Sequence, residues 1–316
     1  MKPSGRPRNH PIDRIKGMLW CAGAAFASGL PHPTAIERQV SPERFTPRTS
    51  GSGGYVYPGY FNKIRNGTKV PGIGLVEKVE RLFPGTRYWY DHPFWDTARH
   101  PLPWHTLQSV LGALSELQSD SARSLIFHHK RVVNPDSISD RATYLESVLS
   151  QLEREGDWDA LTAVIGFVQT ERDPPLDVRE QCAPLILRIF ERMSSESPFF
   201  EVFEELYNYI KMHFLDVSDR SNWLKEINPN AVKARILVNR TRLRLIDDLG
   251  LLRTYRRAPP SCLHIAERYL PPSSFPLISK CDSSRDKKDL IRFPGVQNLA
   301  DALRQWESRI SQPSAS

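Results

Sequence analysis

Cysteine is scarce in this 316-residue chain: Cys21, Cys182, Cys262 and Cys281 lie far apart, and no C-x-x-C pair occurs. That spacing excludes the usual zinc and dithiol arrangements and leaves reduced, buried thiols as the reading. Nor does any run approach the ~18 consecutive apolar residues of a membrane span, so the expectation is a cytoplasmic protein with no membrane partner. The run GMLWCAGAAFASGL (17–30) does follow Lys2, Arg6, Arg8, Arg14 and Lys16, in the manner of a signal peptide. Yet Ile15, Met18, Leu19, Ala22 and Phe26 recur at three- and four-residue spacing and Asp13 interrupts the basic lead, which favours an amphipathic helix. Catalytic signatures are missing as well. GSGG (51–54) has no following Lys-Ser/Thr to make a phosphate-cradling loop, and neither G-x-S-x-G nor H-E-x-x-H is present. The histidines near the chain's middle, His92, His100, His105, His128 and His129, lack the i,i+3 or i,i+4 spacing of metal ligands. The reading is therefore a protein that is not an enzyme, with no catalytic residue, metal or cofactor.

What is present is ordinary globular material, 40% hydrophobic and 25% charged, with its charge segregated. Residues 1–100 carry 15 basic against 7 acidic side chains, residues 101–200 carry 9 against 15, and residues 201–316 carry 19 against 14. Such a basic first third suits a polyanionic partner. Residues 1–11, rich in proline and positive charge, read as a flexible basic arm. A helix is predicted at 12–28, ended by Gly29, and a shorter one at 34–40. The Ser/Gly/Thr/Pro-rich stretch 41–59 is a loop, followed by helices at 58–66 and 72–83. The proline- and aromatic-rich stretch 87–104 reads as an irregular connector, with a domain boundary after residue 97. Beyond it, apolar stripes predict helices at 139–155, 158–170, 177–194 and 198–214. Residues 233–252 fit a helix, although RTRLRLI alternates as a strand would. The fold class is all-α, with a small N-terminal helical domain (12–97) and a larger C-terminal helical domain (98–316).

The most informative segment is YPGYFNKIRNGTKVPGIGLVEKVERLFPG (57–85). On a helical wheel Tyr57, Phe61 and Ile64 share one side, while Asn62, Lys63 and Asn66 share the other with Tyr60 at the flank. Asn and Lys can meet base edges in a major groove, and Arg65 and Lys69 stand where phosphate contacts fall. Gly67 is suited to stop this helix and Pro71 to start the next, in which Ile73, Val76, Val79 and Phe83 form the apolar stripe. This segment resembles the third and fourth helices of the phage-repressor-like (Cro/CI, XRE) helix-turn-helix family. The run Ile64, Arg65, Asn66, Gly67, Thr68, Lys69, Val70, Pro71 and the apolar helix Leu75 to Leu82 carry the resemblance. By analogy helices one and two would be 12–28 and 34–40, although about seventeen Gly/Ser/Pro-rich residues stand where the family has a tight turn.

The resemblance implies a DNA-binding, regulatory protein that acts non-covalently, with Tyr60, Asn62, Lys63, Arg65, Asn66 and Lys69 as its DNA-binding residues. A secondary basic patch is expected from Lys233, Arg240, Arg242 and Arg244. The alternative is a helical interaction or scaffold protein without nucleic-acid binding, docking a protein partner through the aromatic connector and the C-terminal helices.

Overall fold

The computed structural model describes residues 10–30, 32–47, 55–56, 59–101, 103, 106, 149–150, 152–169, 176–215, 228–254, 258, 260–271 and 294–310. Helix α1 (Pro11–Ser28) starts with proline, whose missing N–H is no loss in a first turn, and His10 caps it by accepting the Ile12 N–H at 3.3 Å. It stops where Gly29 turns left-handed at φ +68°. The apolar residues of α1 occupy two opposite faces. Trp20, Cys21 and Ala24 enter one core, while Ile12, Ile15 and Leu19 enter another.

The first core is completed by α2 (Pro33–Val40), α3 (Tyr60–Arg65) and α4 (Ile73–Leu82), through Ile36, Phe61, Ile64, Val76 and Val79. Between α2 and α3 lie a 3₁₀ turn (Pro42–Arg44) and two short strands, β1 (Thr46–Pro47) and β2 (Tyr55–Val56), paired antiparallel with Thr46 opposite Val56. Ile73 was expected in the buried stripe of α4 but is 52% exposed. It is the first residue of its helix, and the core is met one turn later by Val76.

The stretch 87–104 is not an irregular connector throughout. It contains most of α5 (Thr86–Asp91) and all of α6 (Phe94–Arg99). Pro93 is compatible with this because it precedes the first turn of α6, and His92 Nδ1 accepts the Phe94 N–H at 3.2 Å. Phe94, Trp95 and Ala98 of α6 join the α1 residues Ile12, Ile15 and Leu19 in the second core. That core is otherwise built by α7 (Trp158–Val168), α8 (Leu176–Met193), a 3₁₀ turn (Phe199–Val202), α9 (Phe203–Ile210) with its π turn Lys211–Leu215, and the start of α10 (Pro229–Asp248). The boundary expected after residue 97 therefore falls inside a shared core. An Asp13–Arg99 ion pair and the contact of His92 Nε2 with Asp159 Oδ1 at 2.6 Å cross the same junction.

A third core forms where the far half of α10 meets α11 (Leu263–Tyr269) and α12 (Pro294–Ile310), with Leu243, Ile246, Leu263, Leu299 and Leu303 inside. Two long helices, α1 and α10, are thus each shared between neighbouring cores. Among the described residues the fold is all-α apart from four strand residues. Among the described residues Cys21, Cys182 and Cys262 are buried, and no helix is long and apolar enough to cross a membrane. Residues 149–150 and 152–155 are helical. The earlier part of the helix expected at 139–155 lies outside the described residues, as do Tyr57 and residues 1–9 of the expected arm.

Candidate nucleic-acid interface

Helix α3 has only six residues, and its N-cap is Gly59 at φ +64°, which offers no side chain to the free amides of the first turn. Glu37 supplies the missing acceptor from α2. Its side chain is 1% exposed, Oε1 accepts the Tyr60 N–H at 3.0 Å, and Oε2 accepts the Phe61 N–H at 3.5 Å. A carboxylate at a helix N-terminus also complements the helix dipole. Phe61 and Ile64 anchor α3 in the first core, where the Cys21 thiol donates to the Phe61 carbonyl at 3.8 Å. Burial pushes that thiol up to about 12, so it stays protonated.

The far end of α3 closes through Gly67 at φ +66°, and the Lys63 carbonyl accepts the Thr68 N–H at 2.9 Å, the Lys69 N–H at 3.2 Å and the Thr68 hydroxyl at 2.9 Å. This turn is pressed onto α1. A Cβ on Gly17 would lie 2.9 Å from Pro71 Cδ, and one on Gly67 would lie 3.0 Å from Met18 Sδ and 3.9 Å from Arg14 Cβ. Helix α3 is thereby fixed at both ends, by a buried carboxylate at its start and by helix–turn packing at its finish.

The residues expected to contact DNA divide in two. Lys63, Arg65, Asn66 and Lys69 are all exposed. Asn62 is half-buried, and its amide donates to Thr34 Oγ1 at 3.3 Å, so it fastens α3 to α2 instead of facing outward. Tyr60 is half-buried too, and its ring carries two cations: Lys69 Nζ at 4.0 Å and the Arg44 guanidinium at 5.9 Å from the centroid. Arg44, whose guanidinium lies over the Tyr60 ring, and Arg14, whose Cβ lies beside the Gly67 turn, add two further exposed cationic residues that the sequence pattern does not single out. Local periodicity could not have found them, because they reach α3 from a 3₁₀ turn and from α1. Among the described residues none of Arg14, Arg44, Lys63, Arg65 and Lys69 forms an ion pair, and Glu43, next to Arg44, pairs with Lys78 at 3.4 Å. The outcome is an uncompensated positive surface drawn from three elements.

The secondary basic patch does not form as expected. Residues 233–248 are helical, and a helix turns Arg242 away from Arg240 and Arg244. Arg242 is 5% exposed, donating to the Leu270 carbonyl at 3.0 Å and to Asn239 Oδ1 at 2.6 Å. Lys233 is paired with Glu204 at 2.7 Å, and the Arg240 guanidinium stacks 3.9 Å from the Phe200 ring centroid. Arg240 and Arg244 line a cleft of about 490 Å³ together with Glu196, Asp247 and Asp248, so the charge there is mixed.

The aromatic stretch is largely spent in packing. Trp89 stacks on Trp158 at 5.8 Å, Trp95 is 1% exposed, and His92 stacks on Trp158 at 3.7 Å. His92 Nδ1 accepts from Phe94, which leaves the proton on Nε2 for Asp159 Oδ1 at 2.6 Å. Burial lowers the His92 pKa, against the opposing pull of Asp159. With its side chain 1% exposed, this pair has no access to a substrate and works as a tie between α5, α6 and α7. Among the described residues no group of histidine, cysteine and carboxylate side chains is arranged to hold a metal. No known protein family, curated protein or solved structure matches the chain.

Proposed function

We propose that the chain binds duplex DNA non-covalently, in a regulatory role, through α3 and the turn after it. The observation that carries this reading is the set of five exposed cations, Arg14, Arg44, Lys63, Arg65 and Lys69, around one rigidly held short helix, none of them ion-paired among the described residues. Because Glu37 already occupies the N-terminus of α3, its amides are not available to a phosphate, and side chains must make the contacts. Lys63 and Asn66, one turn apart and exposed, are placed to meet base edges together with Arg65. Arg14, Arg44 and Lys69 flank them and serve the phosphates, with the Tyr60 ring holding Lys69 in position. Asn62 has no part in base reading.

Fluorescence anisotropy of the full chain with a mixed-sequence duplex at several salt concentrations tests the proposal. The logarithm of affinity should fall linearly with the logarithm of salt, and Lys69→Ala or Arg14→Ala should each reduce the slope by about 0.9. Absence of binding at low salt refutes the reading.

A further inference from the structure

The turn that closes α3 also carries a hydroxyl. An arginine stands three residues before a serine or threonine three times in this chain: Arg38 before Ser41, Arg65 before Thr68 and Arg192 before Ser195. Folding buries two of these acceptors, Ser41 at 5% and Ser195 at 0% exposure, and leaves Thr68 and its Arg65 both exposed. The Thr68 hydroxyl donates to the Lys63 carbonyl at 2.9 Å, and that carbonyl also accepts the Thr68 and Lys69 N–H groups, so the turn does not depend on the hydroxyl. Lys63, Arg65 and Lys69 belong to the same helix end, and none of them is ion-paired among the described residues. A dianion on Thr68 would therefore meet positive charge that no described carboxylate neutralises.

We propose that Thr68 is the acceptor of an arginine-directed protein kinase and that its phosphate switches off the surface around α3; the switch rests on the DNA reading of that surface. A kinase of this class holds the arginine three residues ahead of the acceptor against carboxylates of its own groove, and Arg65 is exposed for that contact. Thr68 Oγ1 forms a bond to the γ-phosphorus of ATP, the bond from that phosphorus to the β,γ-bridging oxygen breaks, ADP leaves, and the hydroxyl proton passes to the kinase's catalytic carboxylate. The phosphothreonine carries about −1.5 to −2 charge at neutral pH and three acceptor oxygens, which compete with DNA phosphates for Lys63 and Lys69. Its charge also repels the duplex.

The test is incubation of the full chain with MgATP and a calcium/calmodulin-dependent protein kinase, then peptide mapping by mass spectrometry and anisotropy of the product on a mixed-sequence duplex. A phosphoryl group should map to Thr68, and Arg65→Ala should slow its addition about tenfold, the loss of one charge-assisted contact. The phosphorylated chain should bind DNA on the order of 30-fold more weakly at physiological salt, with the salt slope reduced by about 2. Thr68→Glu, with a single charge, should lose about fivefold. Thr68→Val, which keeps the side-chain shape, should bind as wild type does and take no phosphate at that position. The inference is overturned if the kinase leaves Thr68 unmodified, or if the chain phosphorylated there binds DNA as tightly as before. A chain that accepts phosphate at Thr68 but never bound DNA overturns the DNA reading, and the switch with it, while Thr68 stands as the acceptor.

Discussion

Adding a methyl group at Gly23 should destabilise the protein, although alanine is the better helix former. Gly23 lies in the interior of α1, where Gly→Ala at an open site gains up to about 1 kcal/mol. Here a Cβ would stand 2.2 Å from Trp89 Cδ1 and 2.6 Å from Trp89 Cγ, which are flat ring atoms with no flexible end to give way. The indole would have to retreat by more than an ångström, against its stack on Trp158 and its edge contact with Phe199. Overpacking of this kind costs about 1–3 kcal/mol. A 2.2 Å approach to ring atoms belongs at the upper end of that range, so with the helix-propensity gain of about 1 kcal/mol set against it the net expectation is a loss of about 2 kcal/mol, or a Tm lower by about 4–8 °C. Gly74 in α4, with nothing within 4 Å of its Cβ position, is the control, and Gly74→Ala should raise stability by a few tenths of a kcal/mol. Urea denaturation of both variants beside wild type measures the pair. If Gly23→Ala proves as stable as wild type or more so, the close seat of Trp89 on α1 is wrong.

Glu37→Ala should lower stability by about 2 kcal/mol, since it leaves two amides of α3 without their acceptor, whereas Gln39→Ala on the exposed face of α2 should stay within about 0.5; urea melts distinguish them. Stability should also fall as pH drops below about 6.5, because burial lowers the His92 pKa in the folded protein and the unfolded chain takes up the proton first. His92 contributes up to about 1.4 kcal/mol per pH unit, with His213 and His264 shifted the same way by burial, and denaturant midpoints at pH 7.5, 6.5 and 5.5 read the slope. A rise in stability over that interval contradicts the buried state of His92. Asn62→Ala should reduce stability by about 1 kcal/mol through loss of the Thr34 contact and leave DNA affinity unchanged once the protein is folded, whereas Lys63→Ala should reverse that pattern; melts and anisotropy on the same samples decide.

Helix ends governed by a single local residue were legible in the sequence: Gly29 stops α1 and Gly67 stops α3. The stripe Phe61–Ile64 was legible for the same reason, as neighbours on one helical turn. What escaped depended on partners distant in the chain. Asn62 has the spacing of a reading residue, but Thr34, 28 residues earlier, claims its amide. Arg44 and Arg14 join the α3 surface through tertiary packing that no periodicity encodes. Arg242 looked like one more member of a basic stripe until the helical period of α10 turned it inward. The aromatic stretch was misjudged because three prolines suggest a broken chain, while one of them, Pro93, stands at a helix start where proline is tolerated.

The double role of α1 governs how this protein can come apart. Detaching the first ~30 residues would strip Ile12, Ile15 and Leu19 from the second core and Trp20, Cys21 and Ala24 from the first, leaving apolar surface open on both remnants. Neither a protease nor a truncation after residue 97 therefore releases a self-sufficient half. The amides of α1 should be among the last to exchange with deuterium, and they should do so together with those of α7 and α8, as one cooperative unit.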